Sequence, residues 1–257
     1  MTIYTYHTQS TTLMQEKPNI HFITYGDDKY KNSKCRLTTE AANFGEFKTI
    51  TAYGPEFFSP DAIEPYKHIF SQPRGGGYWI WRPFIILDKL KDIRDGDFLI
   101  YLDAGCELNP KGKKRFFEYI DLLQNSKYGI MSFVTPFREL NFTTSRIFQY
   151  LNIPVNSHFG MSGQACGGIL VMKKNDHLMK IMNLMMKSLE DDALMWSDHY
   201  NTTGNHPGFI DNRHDQSISS LLRKIHGSVM IRDESDCDKF RDSDEISYPF
   251  RASRISG

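Results

Sequence analysis

The stretch Asp97-Phe98-Leu99-Ile100-Tyr101-Leu102-Asp103-Ala104-Gly105-Cys106-Glu107 constrains the fold more than any other part of the chain. Its apolar run is too short for a helix and shows no alternation, so it reads as a parallel strand buried on both faces. In open α/β sheets ligands gather just beyond the carboxyl ends of the strands, which is where Asp103 falls. Two readings of Asp103 stand on spacing alone. It is a turn residue closing the strand, or a carboxylate facing a metal-diphosphate group, with Ala104 and Gly105 leaving room for close approach.

The flanking sequence supports a parallel sheet. Residues 19–25 read as a first strand ended by Gly26-Asp27-Asp28, residues 30–44 as a helix stopped by Gly45, and residues 47–52 as a second strand. Strand, helix, strand at these lengths is a βαβ unit. A helix is expected over 60–70, then a Gly75-Gly76-Gly77 run able to adopt φ > 0, then a helix opened by Pro83 and reaching about Leu90. Further expectations are helices over 112–123 and 143–151, strands over 128–134 and 169–172, and a long helix capped by Asp176 and running to about Met195. The methionines of that helix, Met179, Met182, Met185 and Met186, have helical spacing and read as a core stripe. A helix starting at Asp215 with apolar positions Ile218, Leu221, Leu222 and Ile225 ends at Gly227, and residues 229–231 add a last strand. Residues 1–18 form a polar lead-in, 19–232 one domain, and 233–257 a densely charged tail.

Composition removes several classes of function. Lys+Arg and Asp+Glu both number 31, so the formal net charge is zero and no basic excess suits a nucleic acid or an anionic membrane. The four cysteines are scattered without a C-x-x-C pair, which argues against structural zinc and for reduced thiols in a cytoplasmic setting. No signal peptide and no membrane span are expected; contact with a membrane would be peripheral, through a substrate.

Three segments rich in polar residues or glycine would meet at one sheet edge: residues 24–28, the Gly-Trp-Arg segment with Asp103, and Arg213-His214-Asp215. A nucleotide-sugar donor carries a diphosphate that needs a divalent cation on oxygen ligands or Arg/Lys donors. Asp103 suits the metal, Glu107 lies on the same side of an extended chain and suits a second ligand, and Arg82 either contacts a phosphate or pins Asp103. Asp215 is the candidate general base for an acceptor hydroxyl; its position equally suits a helix cap. His214 reads as a satisfied loop histidine, and Cys106 and Cys166 as packing residues.

With Gly77-Tyr78-Trp79-Ile80-Trp81-Arg82-Pro83, Tyr101-Leu102-Asp103-Ala104-Gly105 and His214-Asp215-Gln216 in view, the chain resembles glycosyltransferases of the GT-A fold. It is distantly similar to glycogenin-like enzymes. It is more similar to small surface-glycan transferases of bacteria and large viruses, which carry a GYWxWKP and YxDAG pair. The resemblance spans roughly residues 19–232 and implies a mostly parallel central sheet flanked by helices. It implies that Thr24, Tyr25 and Asp27 contact the nucleoside, that Trp79 and Arg82 lie toward the diphosphate, and that Asp103, beside Ala104 and Gly105, binds ribose or metal. The Ser162–Gly168 loop, Gly163 included, would face sugar or acceptor. The implied donor is UDP-linked and the implied cofactor Mn2+, although Gly105 stands where such enzymes carry the second aspartate of the DXD signature. The expected activity is transfer of a hexosyl or pentosyl group from a nucleotide-diphosphate sugar to a hydroxyl of a glycan or glycoconjugate. A sugar-1-phosphate nucleotidyltransferase and a silent sugar-nucleotide- or glycan-binding module are the competing classes.

Overall fold

Residues 20–25 and 98–102 are apolar at nearly every position, and both segments are buried throughout as adjacent strands, β1 (Ile20–Tyr25) and β3 (Phe98–Leu102). Between them lie α1 (Lys31–Phe44), β2 (Thr49–Tyr53) and α2 (Arg82–Asp92). The computed structural model describes residues 18–202, 204–235 and 247–255. β1 pairs in parallel with both β2 and β3. The order of the four-stranded sheet is β2-β1-β3-β7, the last being Ile169–Lys173.

After β3 come β4 (Glu107–Leu108), α3 (Lys113–Gln124), β5 (Met131–Arg138), β6 (Gly163–Ala165) and β7 (Ile169–Lys173). β7 closes the sheet antiparallel to β3, with Leu102 opposite Ile169. Then follow α4 (Asp176–Asp191), α5 (Asp215–His226), β8 (Val229–Arg232) and β9 (Phe250–Arg251). β6, β5 and β8 form a second sheet, and β4 pairs with β9. The result is the expected mixed α/β arrangement, a mostly parallel central sheet flanked by helices.

Strand alternation divides the core into two layers. Phe98, Ile100 and Leu102 face Leu37 and Phe44 of α1 and Phe116 of α3. Leu99 and Tyr101 face Ile85 and Ile86 of α2, Met182 and Met185 of α4, and Ile218 and Leu221 of α5. Each of these side chains is 4 % exposed or less, and full burial of one such residue contributes about 1.5–3 kcal/mol.

Local details differ from expectation for identifiable reasons. The span 60–70 is not one helix: Pro65 lacks an N–H, and the chain breaks into helical turns at Pro60–Ile63, Glu64–Tyr66 and Lys67–Phe70. β2 begins later, at Thr49, and the Phe47 ring ahead of it packs against Phe22, Phe44 and Phe116. The cap of α4 is Asn175, whose side chain accepts from the Leu178 N–H, with Asp176 in the first turn. α4 ends at Asp191, and Ala193–Trp196 continues as a 3-10 turn. Ile225 is 37 % exposed rather than core. The 162–168 segment is in part strand β6. The lead-in 1–17 and residues 236–246 of the charged tail lie outside the described residues.

Candidate active site

The carboxyl ends of β1 and β3 and the start of β7 border one cavity of about 530 Å3, lined by Tyr25, Asp27, Trp79, Asp103, Gly105 and Arg254 among others. A space of this size accommodates a nucleotide-sized ligand. Asp103 is the first residue after β3 and donates its N–H to the Gly168 carbonyl at 2.9 Å. Its carbonyl accepts from the Cys106 N–H at 2.8 Å, closing a tight turn. Arg36 Nη2 secures that turn by donating to the carbonyls of Ala104 and Cys106.

Two donors orient the Asp103 side chain. Arg82 Nη2 donates to Oδ1 at 2.8 Å, and the Tyr101 hydroxyl donates to the same oxygen. Oδ2 has no hydrogen-bond partner among the described residues. A Cβ at position 168 would collide with it, so Gly168 is the residue that leaves the carboxylate room. Asp103 is 36 % exposed at its side chain, whereas Arg82 is 3 % exposed.

Arg82 arrives from the first turn of α2, where Pro83 presets the helical φ. Its guanidinium lies over the Trp81 and Tyr101 rings, 5.4 and 5.1 Å from their centroids. Nη1 donates to Asp215 Oδ2. Burial opposes the cation, but the carboxylates of Asp215 and Asp103 hold it protonated, well above the usual guanidinium value. Arg82 is thus the hub of a buried carboxylate–guanidinium–carboxylate arrangement. It pins Asp103 and does not line the cavity.

The roof is the 74–81 segment. Gly75, Gly76 and Gly77 all have positive φ, and so do Tyr78 and Trp79. A Cβ at Gly77 would come within 2.7 Å of the Phe70 Cα, so this turn requires glycine for space as well as conformation. Trp81 stacks on Tyr25 with centroids 3.8 Å apart and donates its indole N–H to the Gly75 carbonyl. Arg74 binds Asp198 and Asp211. The Tyr78 ring stacks on His214, 4.7 Å between centroids, tying the roof to the start of α5.

Several expected residues stand elsewhere. Asp215, expected as a base, is 3 % exposed behind Arg82 and is not presented to the cavity. Burial lifts its carboxyl to about 6, with Arg82 opposing and Asp103 adding to the rise. Thr24 is fully buried and donates its hydroxyl to the Leu102 carbonyl, bracing β1 on β3 rather than meeting a nucleoside. Gly163 sits in β6, where a side chain would strike the Thr135 carbonyl; it is a packing glycine. His214 is buried with Nε2 at 2.8 Å from Asp198 Oδ1.

Glu107, the expected second metal ligand, accepts from the Ser253 hydroxyl and does not line the cavity. Among the described residues no three His, Cys, Asp or Glu side chains converge to hold a metal ion. Of the two carboxylates expected to hold a metal ion, Asp103 lines the cavity and Glu107 does not. Burial pushes the thiols of Cys106 and Cys166 up, the latter to about 11, which leaves neither a ready nucleophile.

Sequence reasoning missed Arg254, Lys29 and Gln216 as cavity residues. Arg254 was hidden in a stretch of mixed charge. Gln216 receives the Gly167 N–H at 2.9 Å and donates to Gln164, a link that only tertiary packing reveals. The Gly167-Gly168 doublet ahead of an apolar strand was the one legible signal for that wall.

The sequence matches no family profile and no curated protein. Solved structures are similar in fold. A glycosyltransferase involved in glycosylation of the major capsid of PBCV-1 is 13 % identical, with a TM-score of 0.50 over 91 % of this chain and 92 % of that one. Mouse xyloside xylosyltransferase 1, apo form, is 12 % identical with a TM-score of 0.47, covering 88 % and 90 %. The apo structure of the WbbM bifunctional glycosyltransferase is 12 % identical with a TM-score of 0.48, covering 84 % of this chain and 38 % of that one. The first of these defines the class of fold: the chain shares the overall architecture of a solved glycosyltransferase.

Proposed function

We propose that this chain is a glycosyltransferase that moves a sugar from a nucleotide-diphosphate donor to a hydroxyl of a glycan or glycoconjugate. The observation that carries the reading is Asp103. Its carboxylate is pinned at Oδ1 by Arg82 and Tyr101, and the residue lines a nucleotide-sized cavity at the carboxyl ends of two parallel strands. Fold likeness to the capsid glycosyltransferase supports it.

In this reading the nucleoside lies along Tyr25, Asp27 and Gly76, under the Trp79 roof, and a UDP-linked donor is the first to test. Asp103 accepts a hydrogen bond from a donor hydroxyl through Oδ2. Transfer breaks the bond between the anomeric carbon and the terminal phosphate oxygen and forms one to the acceptor oxygen, whose proton must leave. Asp103 and Asp27 are the cavity-lining carboxylates available to receive it.

Sugar transfer or donor hydrolysis is measured for wild type and Asp103→Ala across nucleotide sugars, in manganese and in EDTA. Loss of turnover in a variant that melts as the wild type does is the expected result; unchanged turnover overturns the assignment. A non-catalytic donor-binding module is the second reading, favoured by Gly105 in place of a carboxylate and by the sealed Asp215. Calorimetry that detects donor binding without turnover under either condition selects it.

A further inference from the structure

Gly105 stands where a second aspartate was expected, and the space beside it is filled. A Cβ there would lie 3.3 Å from the Arg254 Cα and 3.3 Å from the Ile255 nitrogen. The 247–255 segment crosses the Asp103–Cys106 turn at this point and is anchored on both sides of Arg254. Upstream, β9 pairs with β4, Phe250 is 2 % exposed among Phe116, Tyr119 and Phe133, and the Ser253 hydroxyl donates to Glu107. Downstream, the Ile255 N–H donates to the Gly105 carbonyl at 3.0 Å, and Ser33 Oγ donates to the Ile255 carbonyl at 2.9 Å.

Arg254 itself has φ +53°, a left-handed conformation unfavourable for a side-chain-bearing residue. It lines the cavity, and among the described residues it has no carboxylate partner. Arg213 lies close enough for its guanidinium, already disfavoured by burial, to be pushed down further by Arg254. Arg74, by contrast, is committed to Asp198 and Asp211. A strained, doubly anchored arginine that lines a cavity of nucleotide size and has no carboxylate partner among the described residues is arranged for an anion.

The geometry points to Arg254 as the residue that grips the diphosphate of the bound nucleotide, delivered by the 247–255 segment to the place that Gly105 vacates. This rests on the reading of the cavity as a nucleotide-sugar site. A guanidinium there does the charge balancing that a cation held by a second carboxylate would otherwise do, and the small Gly105 is what lets the segment pass.

The test is calorimetry of UDP, GDP, ADP and CDP, and of each parent nucleoside, in EDTA and in manganese. Wild type is compared with Arg254→Ala and with Arg254→Gly, which removes the backbone strain and keeps the anchors. The best nucleoside diphosphate is expected to bind wild type in EDTA and to lose roughly 10- to 100-fold in affinity in both variants, with nucleoside affinity unchanged. Equal diphosphate affinity in wild type and both variants overturns the role of Arg254 while leaving the Asp103 assignment untouched. Binding to wild type only with manganese also overturns it, since the metal then balances the charge. No binding of any nucleotide to wild type overturns both this inference and the reading beneath it.

Discussion

Arg82 is the residue on which the site turns, because removing its charge leaves the buried Asp215 carboxylate without its counter-ion. Asp215 is 3 % exposed and has no other cation bonded to it among the described residues. Breaking a buried pair by deleting one partner costs about 3–5 kcal/mol. Arg82→Met should therefore lose that order of stability in urea unfolding, and Arg82→Met/Asp215→Leu should recover part of it; equal losses in the two would contradict the hub role. Asp215 also predicts a pH dependence. Burial lifts its carboxyl to about 6 in the folded chain, against about 3.9 when unfolded. The folded state binds this proton more tightly, so the stabilising contribution is full below about pH 4 and is lost as pH rises through 6. Asp215→Asn has no such proton. The stability difference between wild type and variant, measured by denaturation from pH 4 to 7, should move against the wild type as pH rises, and a flat difference would refute the shift.

At the scale of elements, the 74–81 segment shows what a glycine run contributes beyond flexibility. Gly77 has φ +92° and backbone atoms of Ile69 and Phe70 within 3.1 Å of where a Cβ would be. Gly77→Ala should cost about 1–3 kcal/mol and displace the roof, raising the dissociation constant for nucleotide more than Gly96→Ala does. Position 96 also has positive φ but has open space around it, so it controls for backbone conformation alone. The elements were largely legible in the sequence because their signals are local. Apolarity on both faces marks β3, Pro83 opens α2, and Gly45, left-handed at φ +76°, closes α1. The Arg82–Asp103 contact was legible too, since helix and strand are consecutive. Burial of Asp215 was not, because it depends on a residue 133 positions earlier. Nor was the antiparallel direction of β7, which apolar content does not encode, or the role of Arg254, whose anchors at Gly105 and Ser33 are distant in sequence.

Across the whole molecule, the cavity joins parts of the chain that are far apart. β1, α1 and β2 are neighbours in sequence, and their contacts close short loops. The hydrogen bond from Ser33 to Ile255 joins residues 222 positions apart. Long-range contacts of this kind are reached slowly, because their loop entropy must be lost before they stabilise anything. The 247–255 crossing is therefore expected to be among the last contacts made as the chain refolds from urea. Far-ultraviolet circular dichroism should recover first, and capture of a fluorescent nucleoside diphosphate should follow in a distinct later phase of a stopped-flow experiment. Coincident phases would contradict this order. A refolding molecule would thus regain its helices and strands while still unable to hold a ligand, and the capacity to bind would mark the end of its maturation.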